Sequence, residues 1–202
     1  METTVSNKNQ LYPVFLKLEQ LRILLVGAGN VGLEKLHSLL ANSPYANITI
    51  VAPAVKQEIK ELVKAHSGCV IIEKKFEEQD LDGKNLVICA TDDKALHIQI
   101  KKAAETRNSI VNVADTPDLC DFYLGSIVQK GSLKIAISTN GKSPTIAKRL
   151  KEVIADMLPE EMEELLENMQ RIRNDIKEGF KEKVRRLNEL TKDLSPNTSN
   201  KR

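Results

Sequence analysis

Short apolar runs alternate with amphipathic stretches over the first half of the chain. Between residues 21 and 113, the apolar runs read RILLVG, ITIVA, CVIIE, LVICA and SIVNVA. They are apolar almost throughout and rich in β-branched residues, which is typical of parallel strands that are covered on both faces. The stretches between them predict helices over 30–41, 55–66 and 95–106. This order predicts an α/β fold with a doubly wound parallel sheet.

The pattern changes after residue 115. Two strand-like pieces, FYLGSIVQ and LKIAIST, are joined by a sequence at 130–132 that is typical of a hairpin turn, so we expect a small antiparallel segment. Ser143 and Pro144 then supply an N-cap and a proline at the first helical position, which predicts a helix through about residue 157. A second helical block is expected from Pro159 onward.

An apolar stripe runs through this second helical block. About half of the residues beyond Pro159 are charged, yet apolar residues recur at steps of three and four. They are Met162, Leu166, Met169, Ile172, Ile176, Phe180, Val184, Leu187, Leu190 and Leu194. Such a stripe packs either on its own domain or against a second subunit, and we expect the subunit interface. The last residues, 195–202, predict a disordered tail.

Composition and charge restrict the partners. The 202 residues include 30 Lys and Arg against 28 Asp and Glu, so no large positive field favours nucleic acid. The apolar runs are too short to cross a bilayer, and the N-terminus lacks the features of a secretion signal, so we expect a cytoplasmic protein without membrane contact. The spacing of Cys69, Cys89 and Cys120 suits neither a disulfide framework nor a zinc site, which indicates a packing role.

A glycine-rich loop follows the first predicted strand. Gly27, Gly29 and Gly32 fit the pattern G-x-G-x-x-G between a strand and a helix. The first glycine permits a tight turn, the second lets the backbone approach a pyrophosphate, and the third lets the helix pack on the sheet. The amides at the helix N-terminus then face the phosphates. This context predicts dinucleotide binding; the alternative is a glycine-rich turn that only serves packing.

The acidic residue that usually binds the ribose is missing. About twenty residues after the motif the chain reads VAPA, and no arginine stands there for a 2′-phosphate. Backbone groups around Pro53 and Ala54 would have to hold the ribose, so the choice between NAD and NADP stays open. Two roles are open for Thr91: contact with the cofactor, or capping of the next helix together with Asp92 and Asp93.

Several longer strings are more specific than the glycine pattern. They include YPVFLKLEQLRILLVGAGNVGLEKLHSLL, QDLDGKNLVICATDD, VNVADTPDLCDFYLGSIVQKGSLKIAISTNGKSPTIAKRLK and the trailing DMLP. Over about residues 11–159 the chain resembles the siroheme synthase dehydrogenase/ferrochelatase family. The most specific pieces are VNVADTPDLCDF and AISTNGKSPTIAKR, because glycine-rich loops occur in many unrelated families.

The resemblance implies an NAD-dependent precorrin-2 dehydrogenase that makes sirohydrochlorin, with a second activity in some members that inserts ferrous iron. It also implies a homodimer whose C-terminal parts interlock. The expected architecture is a Rossmann-like doubly wound sheet followed by a small β dimerisation segment and a C-terminal helical region. We expect an NAD-binding domain over 1–114, the β segment over 115–142, a helical domain over 143–194 and a tail over 195–202.

The resemblance also assigns individual residues. Asp115 stands at the position of the family's aspartate implicated in dehydrogenation and chelation, both of which remove protons from the macrocycle. Without the family, an aspartate that caps a turn before Pro117 is the simpler interpretation. Ala28 departs slightly from the family's three consecutive glycines. The expected cofactor-binding residues are Gly27, Ala28, Gly29, Asn30, Val31, Gly32, Pro53, Ala54 and Thr91.

The implied substrate, precorrin-2, is a tetrapyrrole that carries many carboxylates, so its site needs cations and free amides. Lys142 and Ser143 lie at a predicted helix N-terminus, which suits carboxylates, although Ser143 has the alternative role of capping the helix alone. Lys148 and Arg149, one turn on, are expected on a solvated face.

No resident metal is expected, because the three histidines are scattered without ligand spacing and ferrous iron would be a substrate in transient contact. Two other functions stay open. A nucleotide-sensing regulatory domain would use a similar fold, but it would not need the DTPDLCDF and STNGKSP segments. A chelatase without dehydrogenase activity would not need the intact glycines.

Overall fold

The computed structural model describes residues 9–177 and 179–191. It divides into two compact units, the first ending at Leu124 and the second beginning at Gly125. The tail predicted over 195–202, and Leu194 of the predicted stripe, lie outside the described residues. No helix within the described ranges is long and apolar enough to cross a membrane.

The first unit is built on a parallel sheet, which has five strands among the described residues. In chain order they are β1 (Arg22–Val26), β2 (Asn47–Ala52), β3 (Cys69–Glu73), β4 (Leu86–Cys89) and β5 (Ile110–Val113). Across the sheet the order is β3-β2-β1-β4-β5, and every neighbouring pair is parallel. The predicted doubly wound α/β fold is confirmed.

Three helices connect these strands: α1 (Asn30–Asn42), α2 (Gln57–Ala65) and α3 (Lys94–Glu105). The helix predicted from residue 55 begins two residues later than expected. The reason is that Lys56 is extended, with φ −59° and ψ 146°, and its amide donates to the Ala28 carbonyl at 3.2 Å.

The core of the first unit lies on both faces of the sheet. Ile23 and Leu25 of β1 pack with α1 on one face, whereas Leu24 and Val26 pack with α3 on the other. Successive side chains of a strand point to opposite faces, so a strand covered on both sides is apolar at every position. Each such buried side chain stabilises the fold by about 1.5–3 kcal/mol. This burial explains why the apolar runs do not alternate with polar residues.

The second unit contains a hairpin and helices. The hairpin pairs β6 (Ser126–Lys130) with β7 (Leu133–Ile137), and the helices are α4 (Pro144–Met157), α5 (Met162–Asp175) and α6 (Phe180–Thr191). Gly131 has φ +56° in the hairpin turn. The Lys130 ammonium donates to the Leu158 carbonyl at 2.8 Å and to the Glu160 carboxylate at 2.7 Å, so the hairpin is fastened to the segment between α4 and α5.

The apolar stripe predicted after Pro159 is only partly covered within this unit. Met162 is 9% and Ile176 is 5% exposed, whereas Phe180 is 80% exposed. A second apolar row, on α4, is also exposed to solvent in the single chain. It was not among the features predicted from the sequence. Its members are Ile146, Leu150, Val153 and Met157, exposed by 56%, 42%, 54% and 77%.

Candidate cofactor crevice and active site

The strand order in the sheet of the first unit reverses between β1 and β4. From β1 the chain adds β2 and β3 on one side, and β4 and β5 on the other. Ligands of such sheets bind beyond the carboxyl ends of the strands at this reversal. A crevice of about 770 Å³ lies there, a size suited to a small molecule or cofactor. Its lining comes from residues within 26–31, 51–54, 75–76, 90–97 and 114–116.

The glycine-rich loop forms one border of this crevice. Gly27 has φ +101°, and a Cβ atom there would lie 2.5 Å from the Ala90 carbonyl oxygen. A Cβ atom at Gly32 would collide with the Gly27 carbonyl oxygen. Gly29 differs, because nothing lies within 4 Å of its Cβ position. Backbone contacts therefore demand glycine at 27 and 32, while Gly29 leaves open space beside the backbone.

The N-terminus of α1 opens next to this space. Gly29 is the N-cap residue, so no side chain caps the first amides, and the first turn contains no acidic residue. Free amide donors and the positive end of the helix dipole favour an anion such as a phosphate. The open space, the free amides and the size of the crevice together fit the diphosphate of a nicotinamide dinucleotide.

Lys56 connects the loop after β2 to the glycine-rich loop. Its ammonium donates to Asn30 Oδ1 at 2.8 Å and lies 3.3 Å from the Glu58 carboxylate. A backbone hydrogen bond and the Lys56 ammonium hold the pKa of the Glu58 carboxyl below its usual value. Pro53 and Ala54, just before Lys56, are exposed and line the crevice. Lys56 could not be predicted as a site residue, because nothing in its local sequence pattern distinguishes it from a surface lysine.

The loop after β4 combines a helix cap with a crevice residue. Asp93 caps α3, since its carboxylate accepts hydrogen bonds from the amides of Ala95 at 2.9 Å and Leu96 at 3.0 Å. Thr91 takes no part in this cap. Its hydroxyl and carbonyl oxygens lie 2.9 and 3.0 Å from His97 Nε2, and it lines the crevice.

Asp115 follows the carboxyl end of β5 and lines the same crevice. Its side chain is exposed and has no hydrogen-bond or ion-pair partner among the described residues. Its backbone has φ +56°, a conformation that is uncommon for residues other than glycine, asparagine and aspartate. A turn in this conformation thus presents an unengaged carboxylate at the edge of the crevice.

Cys120 braces the turn that carries Asp115. Its Sγ accepts a hydrogen bond from the Val113 amide at 3.2 Å and lies 3.2 and 3.4 Å from the carbonyl oxygens of Val113 and Thr116. Burial raises the pKa of the Cys120 thiol, so the thiol keeps the proton that it donates to one of these oxygens. The sulfur therefore links Cys120 to Val113 and Thr116, the residues on either side of the Asp115 turn.

The residues after Cys120 are fastened to the outer edge of β5. Asp121 accepts a hydrogen bond from the Val111 amide at 2.9 Å and returns one from its own amide to the Val111 carbonyl at 2.8 Å. Asn112, which is 7% exposed, donates from Nδ2 to the Phe122 carbonyl at 2.8 Å. These bonds explain why the first unit extends past the boundary predicted at residue 114.

Lys142 and Ser143 belong to the second unit, at the start of α4. Ser143 is the N-cap, and its hydroxyl accepts a hydrogen bond from the Ile146 amide at 3.2 Å. Lys142 is exposed, and its backbone amide donates to the Thr139 carbonyl at 3.1 Å. Lys148 and Arg149 are exposed on α4, and Arg149 pairs with Glu152 at 2.8 Å.

The remaining cysteines and histidines show no ligand cluster. All three cysteines are free thiols, and burial raises the pKa of Cys89 to about 12. His37 is exposed, and His66 Nδ1 lies 2.8 Å from the Leu62 carbonyl. Within the residues that the structure describes, no group of three or more His, Cys, Asp or Glu side chains could hold a metal ion.

The crevice brings together most of the residues that were singled out from the sequence. They are Gly27, Ala28, Gly29, Asn30, Val31, Pro53, Ala54, Thr91 and Asp115, whereas Gly32 packs beneath Gly27. Lining residues that the sequence analysis missed include Lys75, Phe76 and His97. The first two follow the carboxyl end of β3, so strand position alone could have found them.

Two family models match the chain. The first, described as putative NAD(P)-binding, matches residues 14–126. The second, described as sirohaem biosynthesis protein central, matches residues 130–157.

Curated relatives and a solved structure agree with these models. The siroheme synthase of Psychrobacter cryohalolentis is 36% identical over 166 residues, which cover 82% of this chain and 31% of the relative. That of Methylococcus capsulatus is 39% identical over 148 residues, which cover 73% and 30%. The chain thus spans about a third of the length of these relatives. The structure of SirC, precorrin-2 dehydrogenase, matches with a TM-score of 0.72 and 28% identity over 92% of this chain and 93% of that one.

Proposed function

Because this chain belongs to the NAD(P)-binding family of sirohaem biosynthesis proteins, we propose that it is an NAD-dependent precorrin-2 dehydrogenase that produces sirohydrochlorin. It corresponds to a part of the siroheme synthases and to nearly the full length of the SirC structure. The dehydrogenase step is therefore the first activity assigned to it.

The cofactor is assigned to the crevice at the sheet reversal. The diphosphate lies at the α1 amides beside Gly29, where the backbone is open and no side chain caps the helix. Pro53 and Ala54 border the ribose through their backbone. We assign NAD rather than NADP because the loop directly after β2, residues 53–56, contains no arginine that could bind a 2′-phosphate. The Lys56 ammonium in this loop already contacts Asn30 and Glu58. The full set of assigned contacts is Gly27, Ala28, Gly29, Asn30, Val31, Gly32, Pro53, Ala54 and Thr91.

The reaction removes a hydride and a proton from the macrocycle. When bound, the nicotinamide ring accepts the hydride. Asp115 is assigned as the catalytic base that takes the proton, because its carboxylate is exposed at the crevice and no other described group competes for it. The hydrogen bonds of Cys120 support the turn that carries Asp115, which favours a carboxylate that is positioned before the substrate arrives.

The carboxylates of precorrin-2 are assigned to the start of α4. Lys142 supplies an exposed cation, and Ser143 supplies a hydroxyl beside the first helical amides. A single charge at a helix end contributes only about 0.3–1 kcal/mol, so several such contacts have to act together.

Two further assignments rest on the same family. We assign a homodimer, because α4 leaves an apolar row open in the single chain. We also assign insertion of ferrous iron as a second step, in which iron is a substrate and Asp115 accepts protons from the pyrrole nitrogens.

The observation that carries the proposal is the unengaged Asp115 carboxylate on the crevice that holds the glycine-rich loop. The test is an anaerobic assay with precorrin-2 and NAD⁺ that follows sirohydrochlorin and NADH spectroscopically. Asp115→Asn is the informative variant, since asparagine tolerates φ +56°. Its kcat is expected to fall by a factor of about 10²–10⁴ with unchanged NAD⁺ affinity. Asp118→Asn, an exposed aspartate of the same loop, is the matched control and should keep full activity.

Each outcome of this assay separates the candidate functions. Production of NADH in proportion to sirohydrochlorin supports the dehydrogenase, and its absence in the wild-type protein overturns it in favour of a nucleotide sensor or a chelatase alone. Ferrous iron added afterwards should raise the rate of siroheme formation above a control without protein. Full turnover by Asp115→Asn would remove Asp115 from the mechanism.

A further inference from the structure

His97 is a buried histidine that the proposed reaction does not use. It lies in the first turn of α3, is 3% exposed, and belongs to the lining of the crevice. Buried polar side chains are normally engaged in hydrogen bonds, so its partners show what holds it in place.

The hydrogen bonds of His97 determine its tautomer. Nε2 lies 3.0 Å from the Thr91 carbonyl oxygen, and a carbonyl only accepts, so Nε2 carries the hydrogen. In the neutral ring Nδ1 is then an acceptor. This Nδ1 atom is buried and has no hydrogen-bond partner among the described residues.

An unpartnered buried nitrogen lowers the stability of the fold, so His97 is poorly explained by packing. A leucine of similar size would fill the same space without that cost. What the histidine supplies, and a leucine does not, is the Nε2–H group directed at Thr91. The contact with Thr91 is therefore the distinctive contribution of this side chain.

Thr91 in turn lies between His97 and the glycine-rich loop. Its hydroxyl is 2.9 Å from His97 Nε2. Its Cγ2 methyl fills the space beside Gly27 that a side chain would need, since a Cβ atom added at Gly27 would lie only 2.9 Å from it. Rotation of Thr91 away from His97 would move this methyl group out of the space beside the Gly27 backbone. The ring thus holds the Thr91 side chain beside the glycine-rich loop, at the border of the crevice.

We propose that His97 is a positioning residue for the nicotinamide cofactor: its Nε2–H group fixes Thr91 against Gly27 and thereby keeps the crevice in the shape that binds the dinucleotide. This inference rests on the proposed function, because it concerns binding of that cofactor.

The test is calorimetric titration of the 202-residue chain with NAD⁺ in the absence of tetrapyrrole. His97→Leu removes the donor, and its Kd for NAD⁺ is expected to rise by about tenfold. His97→Gln retains an amide N–H at a similar distance from the backbone, so its Kd is expected to stay within about twofold of wild type. His37→Leu makes the same substitution on the exposed face of α1 and should leave the Kd unchanged.

Two further measurements separate positioning from a structural role. The thermal midpoint of His97→Leu without cofactor should stay close to that of wild type, because removal of the unpartnered nitrogen offsets loss of the hydrogen bond to Thr91. Imidazole ¹⁵N spectra of the cofactor-free protein should show hydrogen on Nε2. Equal NAD⁺ affinity of His97→Leu and wild type, or hydrogen on Nδ1, would overturn the inference. Failure of the wild-type protein to bind NAD⁺ would instead refute the proposed function.

Discussion

At the scale of single residues, Gly27 and Gly29 have opposite structural requirements although they belong to one motif. Gly27→Ala places a methyl group against the Ala90 carbonyl at φ +101°, so the free energy of unfolding should fall by about 1–3 kcal/mol. Gly29→Ala points its methyl group into open space, so its stability should stay within about 0.5 kcal/mol of wild type. Its NAD⁺ affinity should nevertheless fall, because the methyl group occupies the space assigned to the diphosphate.

Urea denaturation and NAD⁺ titration of both variants check this prediction. Wild-type affinity in Gly29→Ala would show that the diphosphate does not approach the backbone there. Wild-type stability in Gly27→Ala would contradict the packing argument.

Single residues also show where sequence reasoning ends. The glycines and Asp115 carry local signals, since the motif lies between a predicted strand and helix and the aspartate follows a predicted strand. Lys56 and His97 carry none. Their roles depend on contacts with Asn30 and Thr91. The contact of Lys56 with Asn30 joins loops 26 residues apart and exists only once the sheet has formed.

At the scale of elements, the N-terminus of α4 has both a structural and a proposed binding role. Ser143→Ala removes the cap and should lower the free energy of unfolding by about 0.5–2 kcal/mol. Ser143→Asp keeps a capping oxygen and also favours the helix dipole, so it should be as stable as wild type. Its added negative charge should raise the KM for precorrin-2 about two- to fivefold, since it opposes the substrate carboxylates.

Denaturation and steady-state kinetics of these two variants distinguish capping from substrate contact. An unchanged KM in Ser143→Asp would leave Ser143 with the cap alone.

Element boundaries were predictable where the local pattern decides them. α1 begins at the predicted Asn30, and α4 begins after the predicted cap at Ser143, because both starts are determined by residues next to them. The start of α2 was not predictable, since the extended Lys56 is held by a contact with Ala28 from another loop. The placement of residues 115–124 in the first unit likewise depends on hydrogen bonds to β5.

At the scale of the whole molecule, the periodic apolar residues identify helices but do not say which faces stay open. The stripe predicted after Pro159 has buried members, Met162 and Ile176, whereas the row on α4 is exposed throughout. The same spacing of three and four occurs in both, so sequence periodicity cannot distinguish a stripe covered within the chain from an open one. The open row on α4 is the better candidate for an interface between subunits.

The proposed homodimer gives the prediction at this scale. In an isologous interface the same row of both copies lies around a two-fold axis. A single charged substitution in this row therefore places two like charges in the interface. Leu150→Glu should therefore convert a dimer of 22.6 kDa chains into monomers, as measured by light scattering after gel filtration. Lys151→Gln changes the net charge by the same amount at the next residue and should leave the dimer intact. A monomeric wild-type protein, or a dimeric Leu150→Glu variant with native stability, would exclude this row as the interface.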